Sequence, residues 1–470
     1  MISSLGLLSL DHAVSADKKS FWISQAKPAE GFGSLARDPD QILDLPRGFS
    51  YKTIAKFGDK MKDGFYVPGL ADGMCLQAGP DGSTVLFCNH EFRIGHPEEL
   101  GPFKGKKSLE QKISGDLIYD KGKAGTPCLG STTTIVYDTQ RKKVAGQFLN
   151  SVGTLTNCSG GITPWGSWLT CEEVFVGPDD QCAEKHGYVY EVPFSVEPRV
   201  VKLIPLKAMG RFLHEGIAAL PKTGIFYLTE DQVDGLFYRF IAKVRGRLAE
   251  GGRLQCLGVL DEPQFDTRNW GKQKQIISPG DTLAVHWIDL AEVDPGTDSL
   301  RHQGYKLGGA LLASAEGIYE DNGTIIFGCT NGSRTGEGQI WRYTPSPFEG
   351  ESRELESPGR LELVVEPNDA NVMDHPDQIT VAPWGDVFVC EDGNDGNYLL
   401  GITPERRIYK FAFNALNESD LSGVCFSPDG STMFLNILEP GLTLAVTGRW
   451  KAQGIRPPQE NGSARSRCPG

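Results

Sequence analysis

The sequence holds no CxxC pair, no HExxH, no GxSxG, no surplus of basic charge and no apolar run of membrane length. Each absence removes a class of protein. The eleven cysteines, scattered from Cys75 to Cys468, are odd in number and fit neither a zinc ribbon nor a disulfide framework. Most are expected to be buried thiols that pack as small hydrophobes. His90-Glu91 and His214-Glu215 open like zinc-protease motifs, but Ile94 and Ala218 stand where the second histidine is needed. Without GxSxG a nucleophile-elbow hydrolase has no support. Lys and Arg number 47 against 60 Asp and Glu, a formal charge of −13 that argues against nucleic-acid partners and suits cation binding. No segment reaches the ~20 apolar residues of a membrane span, so a soluble mature protein, taken as a monomer, is expected.

The N-terminus is ambiguous. Ile2 to Leu10, followed by Ala13-Val14-Ser15-Ala16, looks like the apolar core and small-residue cleavage site of an export signal, yet the basic region before it is missing. Residues 1–16 are therefore either the remnant of an export signal, which implies a periplasmic or extracellular protein, or a frayed terminus. At the other end, residues 451–470 are rich in Pro, Ser, Asn and Gly and are expected to be disordered.

What the chain has in quantity is glycine (57) and proline (29), which suit short strands joined by tight turns. At 470 residues one compact core would be oversized, so a radially repeated all-β architecture is favoured. A repeat supports it. A turn, an apolar strand and a polar strand end recur at 80–91, 163–173, 221–231, 321–331, 383–392 and 427–436, each with a turn glycine feeding a β-branched and aromatic strand. Five to eight residues before each turn a second column reads Asp72, Asn157, Glu215, Glu316, Asp377 and Ser422. The copies lie about 45 to 100 residues apart, as expected for four-stranded blades with insertions. The fold expected is a six-bladed β-propeller, one domain over residues 40–450.

Inner strands of a propeller line its channel, so residues at equivalent positions converge on the axis. A ring of carboxylates there would repel itself unless cations neutralise it. Asp72, Glu91, Glu172, Glu215, Asp231, Glu316, Asp377 and Glu391 are the candidate metal ligands on this reading. The alternative is that such carboxylates accept backbone hydrogen bonds and staple blades together. Hard oxygens at variable spacing suit calcium. Cys171, just before Glu172-Glu173, could add a thiolate suited to iron or zinc, or be as inert as Cys329 and Cys390 in the same column. Asp392-Gly393-Asn394-Asp395-Gly396 opens like a calcium loop but lacks the closing Glu, and reads as a surface loop.

The stretch from Thr156 to Glu173, with Asn157-Cys158-Ser159-Gly160-Gly161 and Thr163-Pro164-Trp165-Gly166-Ser167-Trp168-Leu169-Thr170-Cys171-Glu172-Glu173, resembles the PhoX-type alkaline phosphatases. Asn89-His90-Glu91, Gly210-Arg211-Phe212-Leu213-His214-Glu215, Phe426-Ser427-Pro428-Asp429-Gly430 and the closing Leu442 to Trp450 extend the resemblance from about Leu45 onward. It implies phosphate-monoester hydrolysis, a cluster of calcium and ferric iron at the channel mouth, and export by the twin-arginine route, although the N-terminus carries no twin arginine. On this resemblance Cys171 would be the iron thiolate and, with Glu215 and Glu316, would form the catalytic set; Glu91 would ligate, and Asn157 and Arg211 would contact the substrate. One position departs from the pattern. Where the family reads Arg-Pro-Glu-Gly, this chain has Ser314-Ala315-Glu316-Gly317. Loss of that charge-assisted contact should weaken phosphate binding by on the order of 2 to 4 kcal/mol unless Arg211, Arg93 or Arg334 replaces it. The strand-start Glu-Gly pairs at Glu215 and Glu316 also resemble calcium-dependent propeller lactonases, which keeps a lactonase, or a non-catalytic calcium-stabilised platform, as alternatives.

Overall fold

The structure, a computed structural model, describes residues 30–450 apart from 124, 179–180, 272–275 and 394–395. The expected signal remnant, the tail from 451 and Asn394-Asp395 of the Gly-rich loop lie outside the described residues. The chain is all-β in a propeller-like arrangement, with two short α-helices, Lys107–Glu110 and Leu300–Lys306, among the described residues. No described helix is long and apolar enough to cross a membrane.

The turn glycines behave as their sequence context requires. Gly82, Gly166, Gly224, Gly323, Gly385 and Gly430 all take positive φ, the region a tight strand-to-strand turn needs and a side chain disfavours. The strands after them, such as Ile225–Glu230 and Thr432–Ile437, are buried along their whole length because sheets cover both faces. Ser50–Lys56, at an outer edge, is mostly exposed.

The first strands of the six repeats are Ala71–Ala78, Asn157–Ile162, His214–Ala219, Ala315–Asp321, Pro376–Val381 and Leu421–Phe426. Each packs on the next in that order, and the last packs back on the first. Close approach around this cycle depends on missing side chains. A Cβ on Gly317 would sit 2.5 Å from Gln378 Cα on the neighbouring strand, and one on Gly423 would sit 2.6 Å from the Asp72 carbonyl at the closure. Ser50–Lys56 pairs with Leu442–Thr447, so strands from opposite ends of the described chain share one sheet.

Hydrogen bonding groups the described strands into five sheets of three, four, four, six and nine strands, whereas six separate blades were expected. The reason is one extra strand. Thr282–Asp289 pairs with Gly252–Val259 on one side and with Gly359–Val365 on the other, fusing the third and fourth repeats into the nine-stranded sheet. Trp341, Tyr343, Phe237, Phe327 and Tyr227 fill the core inside that fused sheet. Burying each such side chain contributes roughly 1.5–3 kcal/mol before chain entropy is counted.

Candidate metal centre and active site

Every inner strand carries the same irregularity. Its first residue pairs with the end of the second strand, and the register then slips, between Ala71 and Met74, Asn157 and Gly160, His214 and Ile217, Ala315 and Ile318, Pro376 and Ile379, and Ser422 and Cys425. A bulge of this kind re-aims a side chain. In five repeats the first residue inside the slip is Asp72, Cys158, Glu215, Glu316 and Asp377, while in the sixth Ser422 is itself paired with Asn436 and the slip follows it. In the second repeat the column is therefore held by Cys158, and Asn157 stands one place too early.

The strand ends show the same offset of one. Paired ends are His90, Glu172, Glu230, Cys329 and Glu391, and the next residue in four repeats is an acid whose charge acts on the channel cluster: Glu91, Glu173, Asp231 and Asp392. Successive strand residues point to opposite faces, so the paired acids turn the other way. Glu172 accepts hydrogen bonds from the amides of Leu155, Gly187 and Tyr188 and from the Tyr190 hydroxyl. Glu391 accepts from the amides of Asp374 and Tyr398. Both are structural staples, contrary to their expected role as metal ligands. They are saturated by donors, whereas the channel acids are not.

The channel acids crowd one another. The ligand atoms of Cys158, Glu173 and Glu215 lie within 4.8 Å of one another, as do those of Glu215, Glu316 and Asp377. Glu215 belongs to both groups. Its Oε1 accepts a hydrogen bond of 3.3 Å from Cys158 Sγ, while its Oε2 and Asp377 Oδ1 are buried with no hydrogen-bond partner among the described residues. Burial lifts the Glu215 carboxyl to about 8, with the charges of Asp231 and Glu91 adding to it. Burial, joined by the charges of Glu215 and other nearby acids, raises Asp72, Glu173, Glu316 and Asp377 well above the carboxylate range, and the Cys158 thiol rises likewise. Burial and the hydrogen-bonded Asp392 bring Asp420, just before the sixth inner strand, to about 8. Oxygens left without donors, in a cluster too crowded to ionise, are the signature of a place that cations neutralise. The donor set of hard oxygens with one thiol fits a metal centre.

Asp72, Glu91, Glu215, Asp231, Glu316 and Asp377 thus come together as expected. Cys171 does not join them. It packs, fully buried, among Leu169, Val189, Phe212, Ile217 and Leu228, and belongs to neither channel group. Asn157 is also consumed by the fold, accepting from Thr154 Oγ1 and donating to Thr170 Oγ1. Asn89 was overlooked as a positioning residue. Its amide donates to the carbonyls of Cys158 and Ser159 while its oxygen accepts from Trp168 and Thr170, which fixes the backbone that presents Cys158. His90 and His214 are buried and held neutral, burial pushing His90 down to about 4 and His214 to about 3.

The family described as alkaline phosphatase PhoX matches residues 30–441. The chain belongs to that family. It is accordingly a PhoX-like phosphatase, a hydrolase. Among solved structures, PhoX of Pseudomonas fluorescens in complex with vanadate, a transition-state analogue, aligns with TM-score 0.63 at 16% identity, covering 91% of this chain and 98% of that one. A gluconolactonase from Xanthomonas campestris aligns with TM-score 0.40 at 10% identity over 89% of this chain and 98% of its own. No curated protein matches the sequence.

Within this PhoX-family site the position of positive charge is informative. Arg211 is spent on structure, donating to the carbonyls of His186, Val176 and Pro295 and stacking on Phe175. Ser314 donates to Asn331 Oδ1. Arg334 is exposed, with its charge felt by Glu366 outside the cluster. Arg93 alone of the three candidate arginines reaches the cluster: Nε and Nη2 donate to Glu91 Oε1 at 3.2 and 3.0 Å, and its charge is felt by Glu173 and Cys158.

Proposed function

We propose that this chain hydrolyses phosphate monoesters at a calcium and iron cluster inside a six-bladed propeller, a single domain spanning residues 40–450. The six inner strands packed in a cycle support the blade count, the fused sheet being two blades bridged by Thr282–Asp289. The observation that carries the functional reading is the column of Asp72, Cys158, Glu215, Glu316 and Asp377, presented by one repeated bulge. Cys158, Glu173 and Glu215 offer the softer donor set, suited to iron. Glu215, Glu316 and Asp377 offer oxygens alone, suited to calcium, and Glu215 belongs to both sets. When bound, such ions supply positive charge to phosphoryl oxygens and lower the pKa of water.

The protein's own part is to hold and orient. Asn89 fixes the Cys158 backbone, and the channel, with Asp72 and Glu215 buried and Glu316 and Asp377 half-buried, limits the access of bulk water to the charges that would act on phosphorus. Arg93 stands at the rim with its side chain two-thirds exposed (68%), and one of its neighbours, Glu91, anchors it. It is the group available to clamp a phosphate in place of the family arginine missing at Ser314. Export to the periplasm or beyond, as the family resemblance implies, completes the reading.

The test is turnover of p-nitrophenyl phosphate by metal-replete protein, with vanadate, which Pseudomonas fluorescens PhoX binds, as inhibitor. Turnover of lactones without any of phosphate esters would sink the proposal. Arg93→Ala is expected to raise KM for phosphate esters, lowering kcat/KM by about tenfold to a hundredfold while kcat falls less. An unchanged KM would remove Arg93 from the substrate site.

A further inference from the structure

A second cluster of ligand-type side chains lies away from the channel. Asp120, Cys128, Cys182 and His186 sit in irregular segments, two before the Gly130–Asp138 strand and two before Val189–Val192. A carboxylate oxygen, two sulfurs and an imidazole nitrogen there all lie within 4.8 Å of one another. Asp120, Cys182 and His186 are completely buried and Cys128 is partly so. His186 Nε2 lies 3.0 Å from Asp120 Oδ2, close to the ~3.3 Å expected between two ligands each about 2.0–2.1 Å from a tetrahedral ion.

The surroundings have the form of a built site. His186 Nδ1 lies 2.6 Å from Glu172 Oε1, and Glu172 is itself fixed by three backbone amides and the Tyr190 hydroxyl. That is the arrangement in which a carboxylate sets the tautomer of a metal-binding histidine, leaving Nε2 free to ligate. Asp120 is oriented by the amides of Gly122, Ala183 and Glu184, and Tyr119 packs its ring edge on the imidazole. Two thiols, one imidazole and one carboxylate make a four-ligand set drawn from the sulfur, nitrogen and oxygen donors that zinc binds in tetrahedral geometry.

We propose that Asp120, Cys128, Cys182 and His186 bind one zinc ion in a structural site separate from the channel cluster. The site ties together two loops outside the regular strands, which the hydrogen bond from the Lys123 amide to the Gln181 carbonyl also joins. One of them runs from Glu173, a channel acid, to His186, and carries the Val176 and His186 carbonyls that hold Arg211. Metal binding free energy is folding free energy for such a segment, so the ion would set the position of Glu173 from behind.

The experiment is elemental analysis of the purified protein beside Cys182→Ser and beside Cys158→Ala. One zinc per chain, lost in Cys182→Ser and kept in Cys158→Ala, is expected. Zinc well below one per chain, zinc unchanged in Cys182→Ser, or an intact Cys128–Cys182 disulfide found by peptide mass would each overturn the proposal. Should Cys182→Ser fail to fold, cobalt-loaded Cys158→Ala protein decides instead. A near-ultraviolet thiolate-to-cobalt band is then expected from Cys128 and Cys182, the thiols of the four-ligand group outside the channel, and its absence would overturn the site.

Discussion

Replacing Glu215 by Gln is expected to lower phosphatase kcat by on the order of 10²–10³-fold and to reduce both the iron and the calcium content of the protein. The change is nearly isosteric, so the fold should survive it, and a circular dichroism spectrum checks that it does. The effect is large because Glu215 lies in both ligand groups, one with Cys158 and Glu173 and one with Glu316 and Asp377. A paired comparison sharpens it. Cys158→Ala should lose iron and activity together while keeping calcium, whereas Cys171→Ala should keep both metals and lose only packing, a cost of about 1–2 kcal/mol in stability. If Cys171→Ala were the variant that lost iron, the assignment of the channel thiol would be wrong.

The contrast between these two cysteines shows where the sequence was legible and where it was not. The turn glycines and the six polar strand ends could be read directly, because positive φ and two-residue alternation leave local marks that survive divergence. The column Asp72, Glu215, Glu316 and Asp377 was also readable, since each acid is followed closely by the start of an apolar run. What could not be read was a phase. Asn157, Glu172 and Glu391 were each taken one residue away from the side chain that faces the channel, and a shift of one in a strand exchanges the two faces. A signal for Cys158 was present: aligning the copies on Asp72-Gly73, Glu215-Gly216, Glu316-Gly317 and Ser422-Gly423 places Cys158-Ser159 in register, with a small residue in second place in every copy but Asp377-Gln378. The bulge that makes this the right alignment is a property of pairing, and only the structure displays it. The fused nine-stranded sheet was illegible for a related reason, since no local pattern says that Thr282–Asp289 has two partners from different repeats.

Stripping the metals should make stability depend on pH in the direction opposite to ordinary acid denaturation. In the metal-free protein burial holds Glu215 and Asp420 at about 8, above ordinary values of 4.5 and 3.8, and Asp72, Glu173, Glu316 and Asp377 are raised as well. A carboxyl raised on folding keeps its proton in the native state over a range where the unfolded chain has already released it. The stabilisation is therefore complete below about pH 4 and is lost progressively as pH rises through 8. At ~1.4 kcal/mol for each unit, even two such groups amount to several kcal/mol between pH 5 and 9, enough to lower Tm by on the order of 10 °C. Bound cations reverse this, since they hold the same carboxylates ionised and expel their protons, so metal affinity climbs with pH and the loaded protein should keep its Tm across the range. Thermal unfolding followed by circular dichroism at pH 5, 7 and 9, with chelator and with calcium and iron restored, separates the two behaviours. A chelated protein whose Tm is flat over that range would mean that the acids are paired with donors in solution, and the channel would then be a stapled core in place of a metal centre.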